Sequence, residues 1–411
     1  MIKAIKNIMN NQLYAISLYL RQIAGTLILF IIARYLSVYD FGLFSSYKNI
    51  ATFCLMFANL GFADYILVSS KANHNEVKLK ISLFLTNAIL FAMLVCLGGI
   101  FCSLESKLLF CLVVIRTFFD GVFFALILPY FQATKKFNVI AMINIIYAVC
   151  IMCIALISYI FKLSLIKFLV LNIILGTINF IQCSYYARIN YFLFFNNFKR
   201  FLNMLDKSIW AYIGSTIANT LYSQISSLYV STYVMKEQAA VYFSALTISS
   251  IVWLLINAQT QKMIPEIIKE TQEKVRIIIK KNLIFILFAT STVFLFMVIF
   301  GKLLLQFLYG QIYYTNGYYI LLILMMGNIF VAEAGVFGAY ITASGNQKKK
   351  IPMQLEATIL TVAGLILLHR FGIYGAALSY LFAATYIAIR YTLTTKQIIK
   401  IKENKNGRTI N

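Results

Sequence analysis

The chain has 411 residues, 61% of them hydrophobic and 12% charged, with 36 Lys+Arg against 13 Asp+Glu. That balance excludes an ordinary soluble domain. It also excludes a nucleic-acid binder, because the lysines fall in separate short segments and form no continuous basic face.

A bilayer core needs about 20 apolar residues per helical span. The hydropathy pattern predicts twelve spans: 13–33, 42–63, 81–101, 108–130, 138–160, 164–186, 209–231, 240–261, 283–303, 318–343, 353–368 and 372–394. No small-residue cleavage site follows the first run, so it reads as a retained helix and not a signal peptide. Pro129, Pro265 and Pro352 all lie at predicted span ends, where a missing N–H costs least. The segment 262–282 reads as an amphipathic surface helix, with Ile264, Ile267, Ile268, Val275, Ile278 and Ile279 at helical spacing among Glu and Lys.

The basic residues favour every second gap. Twenty-five of the 36 fall at the two termini or in the gaps after spans 2, 4, 6, 8 and 10. The positive-inside rule makes both termini and this set cytoplasmic. The net charge of +23 then implies contact with anionic lipid head groups.

The chain reads as a duplication. Ala33–Ser46 after span 1 matches Ser231–Ser244 after span 7, with Tyr35 opposite Tyr233 and Ser46 opposite Ser244. Tyr130-Phe-Gln-Ala-Thr-Lys-Lys and Tyr340-Ile-Thr-Ala-Ser-Gly-Asn form a second weak pair after spans 4 and 10. The expected organisation is an N-terminal six-helix bundle (1–190), a cytoplasmic linker (191–207), a C-terminal six-helix bundle (208–396) and a basic tail (397–411). Six spans per half give both halves the same topology.

Ionisable residues inside spans are costly and mark functional candidates. Arg21 lies near the middle of span 1, with Ser17 and Gly25 one turn either side. It reads as a cationic anchor for phosphate oxygens, or as a structural partner for a carboxylate or carbonyl. Arg116 and Asp120 stand at i,i+4 in span 4, as a neutralised pair or as a switch in which Asp120 releases Arg116 to substrate. Lys48, in span 2, lines a vestibule or snorkels to the interface. Asp64 senses protons, closes a gate or is an ordinary interfacial charge. Glu333, among small residues in span 10, is a candidate for ion coupling or a structural hydrogen-bonded acid. Glu356 and Arg390 read as structural. The seven cysteines lie in apolar stretches, and Cys150-x-x-Cys153 reads as packing. No metal site, cofactor motif or nucleophile motif is present in the sequence.

Arg21, Ala33-Arg-Tyr-Leu…Asp40-Phe-Gly-Leu-Phe44, Phe57-Ala-Asn-Leu-Gly-Phe62, Phe131-Gln-Ala-Thr-Lys-Lys-Phe137 and Thr342-Ala-Ser-Gly-Asn-Gln347 together resemble the polysaccharide flippases. These are the Wzx-type O-antigen and capsule transporters of the multidrug/oligosaccharidyl-lipid/polysaccharide superfamily. The resemblance implies an all-α polytopic fold of two six-helix bundles facing a central cavity. It implies a bacterial inner-membrane protein that carries an undecaprenyl-pyrophosphate-linked repeat unit by alternating access, without covalent chemistry. Arg21, Lys48 and Arg116 would then hold substrate, and Glu333, Asp120 and Asp64 would couple an ion (H⁺ or Na⁺) or gate. The polysaccharide polymerase machinery, which continues lipopolysaccharide O-antigen assembly, is a further expected partner. Rival readings are a multidrug exporter of the same superfamily, a sugar symporter, and a polymerase or ligase. Basic residues within the spans argue against the first. The second should carry a Gly-rich, Asp-Arg-containing loop after span 2, and the third a large outer loop; this sequence has neither.

Overall fold

A computed structural model describes residues 2–59, 74–102, 104–134, 136–188, 209–270 and 272–408. Asp64 and the expected linker at 191–207 lie outside the described residues. Among the described residues the chain is all-α, in twelve helical rods. Among the same described residues, nine helices are long and apolar enough to cross a membrane.

The first six rods are α1 (Ile2–Tyr35), α2 (Val38–Asn59), α3 (His74–Phe101), a composite fourth, α6 (Phe137–Ile160) and α7 (Leu165–Ala187). The fourth joins α4 (Lys107–Thr117) to α5 (Phe124–Ala133) through a π-helical turn, Phe118–Phe123. The second six are α8 (Ile209–Tyr233), a broken eighth rod, α11 (Gln272–Leu308), α12 (Gln311–Ala343), α13 (Lys350–Leu367) and α14 (Ile373–Arg408). The eighth rod is α9 (Lys236–Ser249) followed by α10 (Val252–Lys269).

Local chemistry sets the joints. Ser37 accepts from the Asp40 amide at 3.0 Å and donates to its carboxylate at 2.6 Å, which starts α2. Ser106 caps α4 through the Leu109 amide. Gly310, at φ +108°, makes the turn between α11 and α12 that a side chain would strain.

Contacts divide the chain into unit 1, Met1–Ile217, and unit 2, Ala218–Asn411. In unit 1, α2 packs on α3 and α4, α4 on α3 and α7, and α7 on α6. In unit 2, α10 packs on α11 and α12, α12 on α11 and α14, and α14 on α13. Taken in rod order, these pairings recur in the two units. One differs: α1 lies along α6 in an extensive contact, whereas their counterparts α8 and α13 flank an open apolar cleft of about 710 Å³.

Two expectations need correction. No separate amphipathic helix occupies 262–282: its first part extends α10 and its second opens α11, with the joint between Lys269 and Gln272. Met263, Ile267, Val275 and Ile279 are buried, so this apolar stripe is packed against protein. Span 8 is also not one helix, because it breaks at Ser250 and Ile251. The break frees the Ser249 carbonyl, which accepts from Asn328 Nδ2 on α12 at 2.9 Å.

Candidate functional site

The candidate site in unit 1 begins with Arg21. It sits mid-helix on α1 and is 9% exposed. Its guanidinium is sandwiched between two rings, with Cζ 3.8 Å from the Phe124 centroid and 4.2 Å from that of Tyr147. Such contacts stabilise a desolvated cation by about 2 kcal/mol. Nη1 donates to Asn144 Oδ1 at 3.3 Å, and Asn144 Nδ2 donates to Ser17 Oγ at 3.4 Å. Arg21 Nη2 is buried and has no acceptor.

The π turn supplies the next group. One extra residue per turn rotates the positions that follow and often marks a functional segment. Asp120, in this turn, is approached by Arg116 Nε at 3.3 Å and accepts a hydrogen bond from the Tyr147 hydroxyl. Tyr147 therefore touches Arg21 with its ring and Asp120 with its oxygen. Arg116 is 6% exposed, with Cζ 5.3 Å from the Phe168 ring and 5.5 Å from that of Phe44. Its Nε points poorly at the carboxylate, and neither Nε nor Nη1 makes a hydrogen bond.

Lys48 on α2 is half-buried and lies within electrostatic reach of Arg116 and Asp120. Arg21, Lys48, Arg116 and Asp120 are thus brought together from three rods of one unit. Three cations face one carboxylate, and three guanidinium nitrogens lack acceptors. Each unmet buried donor costs about 1–3 kcal/mol, more when charged. A cluster of this kind is complementary to an anion with several oxygens.

Glu333 stands apart. It is on α12 in unit 2, half-buried, and Oε1 accepts from Thr392 Oγ1 of α14 at 3.2 Å. Glu356 pairs with Arg390 at 3.1 Å and accepts from Tyr386 at 2.5 Å, a surface-facing bridge between α13 and α14. No group of three or more His, Cys, Asp or Glu that could hold a metal occurs among the described residues.

Sequence reasoning missed Phe124, Asn144 and Tyr147, which orient Arg21. Asn144 carried a signal, as an amide in the interior of an apolar run. Tyr147 carried none among 27 tyrosines. It also missed a cation in unit 2. Lys350 falls in the basic gap after predicted span 10, yet it opens α13, and its Nζ donates to Thr342 Oγ1 of α12 at 2.6 Å.

The inward-facing structure of a multidrug resistance MATE family transporter of the MOP superfamily matches at TM-score 0.66 and 12% identity, covering 93% of this chain and 96% of that one. The lipid II flippase MurJ, in an inward closed conformation, matches at TM-score 0.72 and 16% identity, covering 93% and 87%. A mutant of the Vibrio cholerae MATE transporter VcmN matches at 0.60 and 11%, covering 96% of each chain. No curated protein sequence matches. These likenesses show the fold alone, a helical bundle like those of the matched structures. The model of the polysaccharide biosynthesis protein family matches residues 8–269, and the chain belongs to that family.

Proposed function

We propose that the protein is a flippase that moves an undecaprenyl-pyrophosphate-linked oligosaccharide, an O-antigen or capsule repeat unit, across the bacterial inner membrane. The observation that carries this reading is the pair of buried arginines, Arg21 and Arg116, whose unfilled N–H donors suit a pyrophosphate. The family's description and the MurJ-like fold support a lipid-linked saccharide as cargo. By the positive-inside rule, both termini are cytoplasmic and the head group is loaded from that side. The polymerase machinery takes the product on the other side.

The residues divide the work. Arg21, fixed by two rings and Asn144, binds phosphate oxygens with no rotamer search. Arg116 exchanges its Asp120 partner for substrate, and Asp120 stays bonded to Tyr147 meanwhile. Lys48 adds long-range attraction. Binding costs less here than in bare hydrocarbon because the protein replaces water's hydrogen bonds to the anion. Glu333 couples transport to H⁺ or Na⁺, and the protein makes and breaks no covalent bond. A cation exporter fits less well, since the one carboxylate of this cluster is already engaged by Arg116 and Tyr147.

The test is Arg21→Ala in a strain that depends on this protein for surface polysaccharide. Loss of surface glycan at normal expression is expected, and undiminished glycan overturns the anchoring role. For Glu333→Gln, transport in proteoliposomes should lose its dependence on the ion gradient. Full retention of that dependence removes Glu333 from coupling.

A further inference from the structure

Unit 2 contains a cavity of about 230 Å³ bounded by α8, α10, α12, α13 and α14. One wall is made of small residues on α12, including Ala334, Gly335 and Gly338. A Cβ at Gly338 would come 3.1 Å from the Tyr391 ring, so glycine there keeps the wall back. Trp253, Tyr222 and Tyr391 present aromatic surface.

Two polar groups stand out against this lining. Lys350 is half-buried, fastened to Thr342, with Nζ 5.9 Å from the Tyr391 ring centroid. Gln354, one turn on, is 3% exposed. Its Nε2 donates to Asn219 Oδ1 at 3.3 Å, while its buried Oε1 receives no hydrogen bond. An unfilled buried acceptor beside an ammonium calls for a ligand with both a donor and a negative charge.

We propose that this cavity is a saccharide subsite for an acidic sugar. A hydroxyl of the sugar donates to Gln354 Oε1, its carboxylate or phosphate lies on Lys350, and its C–H face lies against the aromatic wall. The volume is below the roughly 300–1,000 Å³ of sites for drug-sized ligands, so it takes a single ring. The ammonium repels a metal cation or cationic drug. Hydroxyls and an amide are wasted on an acyl chain, whereas sugars match them. The inference rests on the flippase reading and narrows its cargo to repeat units that carry an acidic sugar.

Trp253 reports on the cavity directly. The chain has two tryptophans, so a Trp210→Phe background leaves it as the sole indole. The full chain in nanodiscs would be titrated with methyl glucuronide, glucose 1-phosphate, methyl glucoside and inorganic phosphate while Trp253 emission is recorded. Saturable change is expected with one or both acidic sugars, and the two arms tell carboxylate from phosphate. The neutral glucoside and free phosphate should each bind about tenfold more weakly or worse. Lys350→Gln should lose the preference for charge and Lys350→Arg should keep it, at unchanged Tm. The proposal is overturned if the glucoside or free phosphate binds as well as the acidic sugars. It is equally overturned if no titration saturates, or if Lys350→Gln keeps the preference. Surface polysaccharide in the dependent strain separates the two readings. A wild type that sustains glycan but binds no acidic sugar sinks the subsite and leaves transport standing. One that binds acidic sugar but sustains no glycan sinks the transport reading instead.

Discussion

Unit 1 and unit 2 share a pattern of helix pairing but treat the polarity around Arg21 and around Asn328 in opposite ways. In unit 1, Arg21 and Arg116 are buried with donors unfilled, and a π turn offers Asp120 to both Arg116 and Tyr147. At the centre of unit 2, Asn328 donates to the carbonyl freed by the α9–α10 break and accepts from Tyr380 at 2.7 Å. That centre is neutral and satisfied, and α12 passes through it without a π turn. Two units with recurring packing can therefore differ inside: one holds an unsatisfied cationic cluster, while the other has a closed network around Asn328 and leaves Gln354 Oε1 unfilled in its cavity. Incomplete bonding marks where a ligand is needed; complete bonding marks where the helices are held.

The strongest way to break this contrast is Arg21→Ala. Substrate binding, measured with a fluorescent lipid-linked pyrophosphate in nanodiscs, should fall by about a hundredfold or more, as for other truncated buried charge partners. Tm should fall only modestly, because loss of the ring and Asn144 contacts is offset by removal of a buried, under-satisfied charge. A collapse of Tm with binding retained would make Arg21 structural. Next in size is Asp120→Asn, which removes the charge competing for Arg116. Affinity for the pyrophosphate should rise while the flipping rate in proteoliposomes drops. If both fall together, Asp120 holds structure and does not switch.

Tyr380→Phe tests unit 2 in the same terms. It leaves the buried Asn328 Oδ1 without a donor and should cost about 1–3 kcal/mol, read as a lower Tm with pyrophosphate affinity unchanged. The smallest effect is expected for Arg390→Ala. Both partners of its ion pair with Glu356 are about 40% exposed at the side chain, so the loss should stay within about 1 kcal/mol.

Much of this was legible from residue order. Uninterrupted apolar runs placed the rods, because a helix that spans hydrocarbon must be apolar over a set length. Arg21 and Arg116 stood out because charge within such runs is costly. The π turn did not, since Phe-Phe-Asp-Gly-Val-Phe is as apolar as an ordinary turn and the extra residue leaves no compositional mark. Lys350 was misplaced for a related reason. It follows Lys348 and Lys349, and a run of lysines reads as a solvated loop; only the fold turns the third of them towards Thr342 and Tyr391.

The sequence alone determined the class, the number of rods and the burial of Arg21 and Arg116, because these follow from hydrophobic length and the cost of charge within it. Tertiary structure decided which of those charges meet. Arg21, Lys48, Arg116 and Asp120 come from three different rods, and their approach depends on helix packing and on the rotation imposed by one π turn. No local propensity encodes that convergence. Whether a buried polar group finds its partner is a property of the packed interior, and there unit 1 parts from unit 2.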